Sequence, residues 1–302
     1  MSEKQTQAST EQSPLKINTL AVVGVGLIGG SFAAACRKNG IVSRVIGAGR
    51  KPETLSQAVS LGLIDQAVTL QEAALEADLI FIAAPVGAFE SIFTALAPKL
   101  NATALITDGG STKQNVVAAA RAGLKNRIAQ FVPAHPMAGS HEKGPQAADA
   151  NLYTGKRVIL TPLVENIAAD VARIEAVWQA CGARVTTTTP AQHDSMVAAV
   201  SHLPHWIAAL FMQHIVDSED AALKLQTAGT GFRDFTRVAQ GSAEMWSDIF
   251  MANRAAMLSE LKALRTVMDR AEQALEASDE VWLHQMLEVA AKARSDWTGN
   301  QT

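Results

Sequence analysis

A cluster of glycines lies between an apolar run and a helical stretch, and it constrains the fold more than any other feature of the sequence. The run INTLAVVGV contains Gly24, and Gly26 and Gly29 complete the spacing G-x-G-x-x-G. At this spacing the first glycine permits a tight turn, the second lets backbone N–H groups approach a pyrophosphate, and the third lets a helix pack on the strand. The pattern predicts a dinucleotide-binding loop with Leu27 and Ile28 beside the cofactor, and the alternative is a tight turn without a ligand.

Strand-like and helix-like segments alternate from Ile17 to about Thr189. The strand-like segments are INTLAVVGV, SRVIGA, LIFIAAP, ALITDGG, QFVPAHP, RVILTP and ARVTTTT. Short continuous apolar runs of this kind are typical of buried strands, and the alanine-rich stretches between them have helical length. This order indicates right-handed β-α-β crossovers. We therefore predict the α/β class with a doubly wound, mostly parallel sheet.

After Pro190 the strand-like runs disappear and helical periodicity continues almost to the end of the chain. The sequence has 302 residues, and single hydrophobic cores stop growing near ~250 residues. We predict a disordered tail at 1–16, a dinucleotide-binding domain at 17–189 and an all-helical substrate and dimerisation domain at 190–302. So few helices enclose little core of their own, which favours a homodimer.

Composition excludes several classes of protein. The chain carries 26 Lys and Arg against 29 Asp and Glu, so it has no basic field for nucleic acid or acidic lipid. Cys36 and Cys181 form no C-x-x-C pair, which gives no support to a zinc site or a disulfide framework. No uninterrupted apolar run approaches the ~18 residues that span a bilayer, and the first fourteen residues contain no signal-peptide core. We expect a cytoplasmic protein with a small-molecule substrate.

The loop after the second strand bears on the choice of cofactor. An acidic residue ~20 positions past the glycines would accept the free ribose 2′-OH of NAD. Here the positions read Gly49, Arg50 and Lys51, so two cations stand where a 2′-phosphate would lie. This favours NADP over NAD, unless the two cations are ordinary solvated loop residues.

In an open α/β sheet the chemistry lies beyond the carboxyl ends of the strands. Ala84 and Pro85 follow one strand and are expected to border the cofactor. His135, in a strand-end loop of sequence HPMAGS, is the candidate general base because the pKa of histidine lies near 6.5. Ser111 in DGGSTK and Ser140 in HPMAGS are candidates to hydrogen-bond the histidine or the substrate, although glycine-flanked serines are also common in turns.

The helical half supplies a second group of polar residues. His202 and His205 lie three apart in SHLPH, a spacing that suits a metal pair, but no third ligand lies nearby and we predict no metal. Arg237 lies in GFRDFTRVA, among other charged residues. An arginine there is able to clamp a carboxylate, and the alternative is a surface ion-pair cluster.

Five motifs occur in order: GVGLIGGS, DGGSTK, HPMAGSHEKG, SHLPH and GFRDFTRVA followed by MWSDIF. In this combination the chain, from about Asn18 to Arg265, resembles the prephenate/arogenate (cyclohexadienyl) dehydrogenase family of tyrosine biosynthesis. The resemblance implies a Rossmann-type domain followed by a helical dimerisation domain. It also implies oxidation of the ring alcohol of prephenate or arogenate with loss of the ring carboxylate, giving 4-hydroxyphenylpyruvate or tyrosine.

The same resemblance implies roles for individual residues. His135 is the catalytic base on the C4 hydroxyl, Ser111 assists it, Ser140 borders the substrate, His205 reaches the substrate, and Arg237 binds a carboxylate. Many members of the family carry an acidic residue where this chain has a glycine after the second strand. That departure also favours NADP.

Two other functions compete with this interpretation. A β-hydroxyacid dehydrogenase would share the two-domain plan and would need a catalytic lysine in the helical half, for which Lys224 and Lys262 are available. A regulatory module that senses NADP without turnover would need no base at all. The sequence leaves open the preference between prephenate and arogenate and any inhibition by tyrosine.

Overall fold

The computed structural model describes residues 15–139 and 142–297. Its strands are β1 Ile17–Val23, β2 Val42–Ala48, β3 Gln66–Ala67, β4 Leu79–Ile82, β5 Leu105–Asp108, β6 Ala134–Pro136, β7 Arg157–Leu160 and β8 Arg184–Thr187. Its α-helices are α1 Leu27–Lys38, α2 Pro52–Ser60, α3 Leu70–Glu76, α4 Phe89–Leu96, α5 Gln114–Leu124, α6 Ala168–Ala180, α7 Pro190–Val197, α8 Leu203–Val216, α9 Ala221–Gln226, α10 Thr230–Thr236, α11 Ala243–Ala252, α12 Arg254–Glu276 and α13 Glu280–Asp296.

The first five strands form one parallel sheet in the order β3-β2-β1-β4-β5. The chain moves outward from β1 to one edge and then returns to the other side of β1 through β4. The carboxyl ends of β1 and β4 are therefore neighbours at the point where the strand order reverses. In sheets of this type that crevice is where ligands bind. The fold confirms the α/β class and the doubly wound sheet.

Alternate residues of β1 belong to two separate hydrophobic cores, one on each face of the sheet. Leu20 and Val22 pack in the core that contains the buried aromatic side chains of α1 and α6, whereas Ala21 and Val23 pack in the core beneath α3, α4 and α5. Because both faces are covered, every position of the strand from Leu20 to Val23 is apolar. This explains why the run was continuous rather than alternating.

A second sheet follows, in the order β6-β7-β8, and it departs from the predicted parallel arrangement. β6 and β7 pair antiparallel, whereas β7 and β8 pair parallel. A parallel crossover needs a helix of a dozen or so residues. In the described part of the chain between β6 and β7, only the short 3-10 turn Pro145–Ala147 is helical, and the strand therefore returns antiparallel. The two-residue strand β3 was not predicted either.

The helical half begins where the sequence provides a complete helix start. Thr189 caps α7 by accepting the backbone N–H of Gln192, whose side chain in turn accepts the backbone N–H of Thr189, and Pro190 occupies the first turn. This reciprocal capping and the fixed φ of proline stop the preceding extended segment and begin a helix. All elements from α7 onward in the described residues are helical.

Residues 190–216 form one long helix in three parts, because α7 continues through the π-helical segment Ala198–His202 into α8. It has 27 residues, its most apolar 18-residue stretch has a mean hydropathy of 1.3, and it is the one helix of the described residues that is long and apolar enough to cross a membrane. The sequence analysis predicted no such segment because it considered only uninterrupted apolar runs. This helix also carries polar residues of the candidate site.

Candidate active site

The glycine loop joins β1 to α1 in the geometry that the spacing predicts. Gly24 has a φ of +93°, and a Cβ there would lie 2.4 Å from the carbonyl oxygen of Ala83 at the end of β4. A Cβ on Gly29 would lie 2.1 Å from the carbonyl oxygen of Gly24. Any larger residue at either position would therefore push the turn away from the neighbouring strand or the helix away from the turn.

Gly26 differs from these two glycines because a Cβ there would meet no atom within 4 Å. Protein packing does not require a glycine at this position, which is the N-cap of α1 and makes no side-chain cap hydrogen bond. The first turn of α1 contains no acidic residue. The first backbone N–H groups of α1 have no intrahelical partner, and together with the positive end of the helix dipole and the open space beside Gly26 they suit a pyrophosphate.

The loop after β2 leaves room at the predicted ribose position. Gly49 is exposed, and a Cβ there would make only an ordinary 3.5 Å contact with Leu55. Arg50 and Lys51 are exposed, and neither side chain pairs with another described residue. Both cations are therefore available to an anionic ligand.

The loops after β4 and β5 border the glycine loop. A Cβ on Gly24 would lie 3.4 Å from the backbone nitrogen of Ala84, and Pro85 next to it is exposed. A Cβ on Gly109 would lie 3.1 Å from Cγ2 of Ile28. The loop that contains Ser111 is thus packed directly against the predicted cofactor loop.

A buried ion pair holds β6 next to β5. Nζ of Lys113 lies 2.5 Å from Oδ2 of Asp108, and both side chains are fully buried. Oδ1 of Asp108 accepts the backbone N–H of Ala134 at 2.9 Å, and Nζ of Lys113 donates to the carbonyl oxygen of Ala134 at 2.7 Å. Because Ala134 immediately precedes His135, this pair fixes the peptide that carries the candidate base.

His135 lies within β6, not in the loop after it as predicted, and it contacts a second histidine. Its Nδ1 is 2.8 Å from Nε2 of His193, and Nδ1 of His193 is 2.8 Å from Oδ1 of Asp194. His193 and Asp194 lie on α7, so the helical half supplies both partners. The three side chains form a continuous buried hydrogen-bonded chain.

Burial sets the charge states of these groups. Burial lowers the pKa of His135 well below its ordinary value, and the nearby His193, Lys113 and His202 lower it further. Burial also lowers the pKa of His193, although the hydrogen bond that its Nδ1 donates to Asp194 opposes that shift. The pKa of Asp194 is lowered: burial opposes this, but hydrogen bonds from His193 and two backbone N–H groups outweigh it. The site therefore holds neutral imidazoles beside a carboxylate.

The π-helical segment brings a further histidine, His202, close to this hydrogen-bonded chain of side chains. Nδ2 of Asn253 donates to the carbonyl oxygen of Asp194 at 2.8 Å and lies 3.2 Å from Nδ1 of His202. Eight residues of regular helix would place Asp194 and His202 about 80° apart around the axis, and the wider π turn reduces that angle. Burial lowers the pKa of His202 to about 4.

His205 and Arg237 lie next to each other beyond His202. Nδ1 of His205 lies 3.0 Å from the carbonyl oxygen of Val238, and its ring stacks on Trp246 with centroids 3.8 Å apart. Arg237 is exposed and pairs with no described residue. Burial lowers the pKa of the half-buried His205, the hydrogen bond with Val238 opposes that shift, and the charge of Arg237 adds to it. A cation without a protein partner beside a half-buried histidine suits a carboxylate ligand.

Of the two predicted serines, only Ser111 lies in the described residues. Ser111 is partly exposed and makes no side-chain hydrogen bond within the described residues, so the partner of His135 is His193 instead. Ser140 lies outside the described residues. The roles of both serines toward the substrate stay predictions.

Sequence reasoning missed four residues of this cluster: Lys113, His193, Asp194 and Asn253. The adjacent His-Asp pair just after the helix-starting Pro190 was the available signal, because a carboxylate beside a histidine often orients it. No group of three or more His, Cys, Asp or Glu side chains able to hold a metal occurs in the part of the chain that the structure describes. Lys224 pairs with Asp220 and Lys262 is exposed, so neither joins the cluster.

Comparison with known proteins identifies the family. The family model for the nucleotide-binding domain of prephenate dehydrogenase matches residues 32–187, and the model for its dimerization domain matches residues 189–289. Prephenate dehydrogenase of Bacillus subtilis is 36% identical over 263 residues, which is 84% of this chain and 71% of the relative. Cyclohexadienyl dehydrogenase of Zymomonas mobilis is 33% identical over 279 residues, which is 91% of this chain and 94% of the relative.

Solved structures agree with these matches. Prephenate dehydrogenase from Aquifex aeolicus, in complex with hydroxyphenyl propionate and NAD+, has a TM-score of 0.86 at 30% identity, with 94% of this chain and 99% of that chain covered. Arogenate dehydrogenase of Synechocystis has a TM-score of 0.80 at 30% identity, with 93% and 100% covered. With both domain models matched in order along one chain, the protein belongs to the prephenate dehydrogenase family.

Proposed function

We propose that this protein oxidises and decarboxylates prephenate, arogenate or both, with a nicotinamide dinucleotide as hydride acceptor. The observation that carries the proposal is the buried, neutral His135, held in β6 by the ion pair of Lys113 and Asp108. A base for an alcohol proton must be unprotonated before the reaction, and burial keeps the pKa of His135 low enough for that. The products are 4-hydroxyphenylpyruvate from prephenate and tyrosine from arogenate.

The residues of this chain have distinct tasks in the reaction. When bound, the nicotinamide supplies the hydride acceptor. His135 accepts the proton of the C4 hydroxyl on the ring nitrogen that does not face His193. The substrate ring then loses its carboxylate as CO₂, because that loss makes the ring aromatic. This chemistry needs no metal ion and no covalent intermediate.

Binding of the anionic substrate is assigned to the helical half. Arg237 contributes a full charge that no described residue neutralises, and His205 presents its Nε2 because its Nδ1 is occupied by Val238. Ser111 and Ser140 are also assigned to contact the substrate. We assign binding to the arginine and rate to the histidine, so substitutions at the two positions should have different kinetic effects.

For the cofactor we propose a preference for NADP. The support is the pair of unpartnered exposed cations, Arg50 and Lys51, together with the absence of an acid at Gly49. Gly24, Gly26, Leu27, Ile28, Gly29, Ala84 and Pro85 would hold the rest of the dinucleotide. The relative from Aquifex aeolicus was solved with NAD+, so it provides a natural comparison for the cofactor preference.

We also propose a homodimer, formed through the helical domain, in the cytoplasm. Leu210, Val216, Met251 and Leu258 are among the large apolar side chains that helices α8, α11 and α12 leave exposed. A second copy, and not lipid, is the proposed cover for the apolar helix 190–216, because the same helix contributes buried His193 and Asp194 to the site. Analytical ultracentrifugation of the purified protein without detergent tests this: a dimer is expected, and a detergent-dependent monomer would contradict it.

Initial rates with prephenate and arogenate, each with NAD and NADP, test the activity. We expect reduced nicotinamide to appear with at least one substrate and faster with NADP. Reduction with a β-hydroxyacid but with neither cyclohexadiene would support the competing dehydrogenase class. Cofactor binding without any reduction would support a sensing module.

A further inference from the structure

Asp194 occupies an unusual position at the junction of the two halves of the chain. Its Oδ1 accepts the backbone N–H of Lys113 at 2.7 Å, and its Oδ2 accepts the backbone N–H of Gln114 at 2.8 Å. These are the N-cap and first residue of α5. The carboxylate therefore sits on the positive end of that helix, which favours its ionised form.

An ionised carboxylate only accepts hydrogen bonds, and this fixes the proton on the neighbouring ring. Because Oδ1 of Asp194 is 2.8 Å from Nδ1 of His193, Nδ1 of His193 must carry a hydrogen. His193 is fully buried and neutral, so its Nε2 then has a lone pair and no hydrogen.

The same reasoning extends one ring further. Nε2 of His193 is 2.8 Å from Nδ1 of His135, and an acceptor at that distance requires a hydrogen on Nδ1 of His135. A neutral His135 that is protonated on Nδ1 has its lone pair on Nε2. A neutral imidazole free in water prefers the opposite tautomer, which would have no lone pair on the nitrogen that faces away from His193.

We infer that His193 and Asp194 are positioning residues that select the basic tautomer of His135. Neither touches the reacting atoms. Asp194 also joins α7 to the start of α5, so the base adopts this tautomer only when the helical half is docked on the dinucleotide-binding half. The inference rests on the proposed function of His135 as the base, although the tautomer itself is measurable without substrate.

Nitrogen-15 NMR of the histidine side chains in the full-length protein tests the tautomer directly. The resonances of His135 are identified by their absence in His135→Asn. We expect the wild type to show a hydrogen on Nδ1 and a lone-pair shift on Nε2 of His135. A spectrum with the hydrogen on Nε2 would overturn the inference. Because the measurement uses the wild type, it does not depend on whether variants of His193 fold.

Two variants of His193 add a kinetic test. His193→Phe removes the acceptor, so the tautomer should change and kcat should fall by about tenfold or more, with a KM that stays within about threefold. His193→Gln retains an acceptor oxygen for Nδ1 of His135, so it should recover the wild-type tautomer and much of kcat. An unchanged tautomer in folded His193→Phe, or equal losses in both variants, would contradict a role in tautomer selection.

A control and an independent outcome separate this inference from the proposed function. His284 is an exposed histidine on α13, and His284→Gln should leave both the His135 spectrum and kcat unchanged. If the spectrum has the expected tautomer but neither cyclohexadiene is oxidised, the proposed function fails while the tautomer assignment stands.

Discussion

Nζ of Lys113 lies 2.5 Å from Oδ2 of Asp108, with both side chains fully buried. Burial lowers the pKa of Lys113, and the adjacent carboxylate opposes that shift. The pair also binds both backbone polar groups of Ala134. Its two charges therefore stabilise each other and the strand that carries the base.

Lys113→Met should destabilise the fold by about 3–5 kcal/mol, because it leaves the Asp108 carboxylate buried without its cation. Urea unfolding measures the effect. The matched control is Lys224→Met, which removes the lysine of the exposed pair with Asp220 and should change the free energy of unfolding very little. Equal effects of the two substitutions would contradict the account of the buried pair.

His135→Asn should lower kcat by ~10²- to 10⁴-fold while substrate affinity stays nearly intact. The variant retains a polar side chain but has no basic nitrogen. In the wild type, kcat/KM should stay constant as the pH falls below ~6.5, the ordinary pKa of histidine. The reason is that burial keeps the pKa of His135 well below that value. Near-normal kcat in a folded variant would rule out His135 as the base.

His202 predicts a loss of stability in acid. Its pKa of about 4 in the folded protein is below the ordinary value of 6.5. Between these two values the unfolded chain binds more protons than the folded chain, so stability falls as the pH drops through this window, by roughly 3 kcal/mol for this group. His202→Asn should be less sensitive to pH in urea unfolding between these limits. The exposed His284→Gln should retain the wild-type dependence of the free energy of unfolding on pH. The same dependence in both variants would contradict the assignment.

Arg237→Ala should chiefly raise KM, by a factor that corresponds to roughly 2–4 kcal/mol, with a smaller loss in kcat. The reason is that its guanidinium has no partner among the described residues and is free to bind a substrate carboxylate. Steady-state kinetics and thermal unfolding of the same preparation distinguish the two roles. If Tm falls and KM stays constant, the arginine only braces the helices. Arg265→Ala, at an exposed position of α12, is the control.

Arg50→Ala should weaken NADP and leave NAD almost unchanged, because only the 2′-phosphate distinguishes the two cofactors. Gly49→Asp should shift the preference toward NAD, since a carboxylate accepts the ribose 2′-OH and repels the phosphate. A Cβ at position 49 would make only an ordinary contact with Leu55, so the backbone there tolerates the substitution. Comparison of kcat/KM for both cofactors measures the shift, and Lys99→Ala, an exposed cation elsewhere on the domain, is the control. A wild type that favours NAD would overturn the NADP preference.

The parts of the fold that local patterns determine were predictable from the sequence. The glycine spacing, the continuous apolar strands and the start of a helix at Pro190 are each determined by residues close together in the chain. The antiparallel return of β7 was missed because the described part of the connection before it contains only a short 3-10 turn and no crossover helix.

The candidate site was predictable only in part, for a similar reason. His135 stands in a recognisable motif, but its hydrogen-bond partner His193 is 58 residues away and reaches it only when the helical half docks. Lys113 reads as an ordinary loop cation in sequence, and its complete burial is a tertiary effect. The link from Asp194 to His202 depends on a π turn that no periodicity rule for regular helices predicts.

The most direct test of the account is the stoichiometry of the reaction. Purified protein is incubated with prephenate, and separately with arogenate, in the presence of NADP or NAD, and three products are quantified together. We predict equal amounts of reduced nicotinamide, CO₂ and aromatic product with at least one substrate, and loss of all three in His135→Asn. Reduced nicotinamide without CO₂, or no reduction with either substrate by a protein that binds the cofactor, would contradict the assignment.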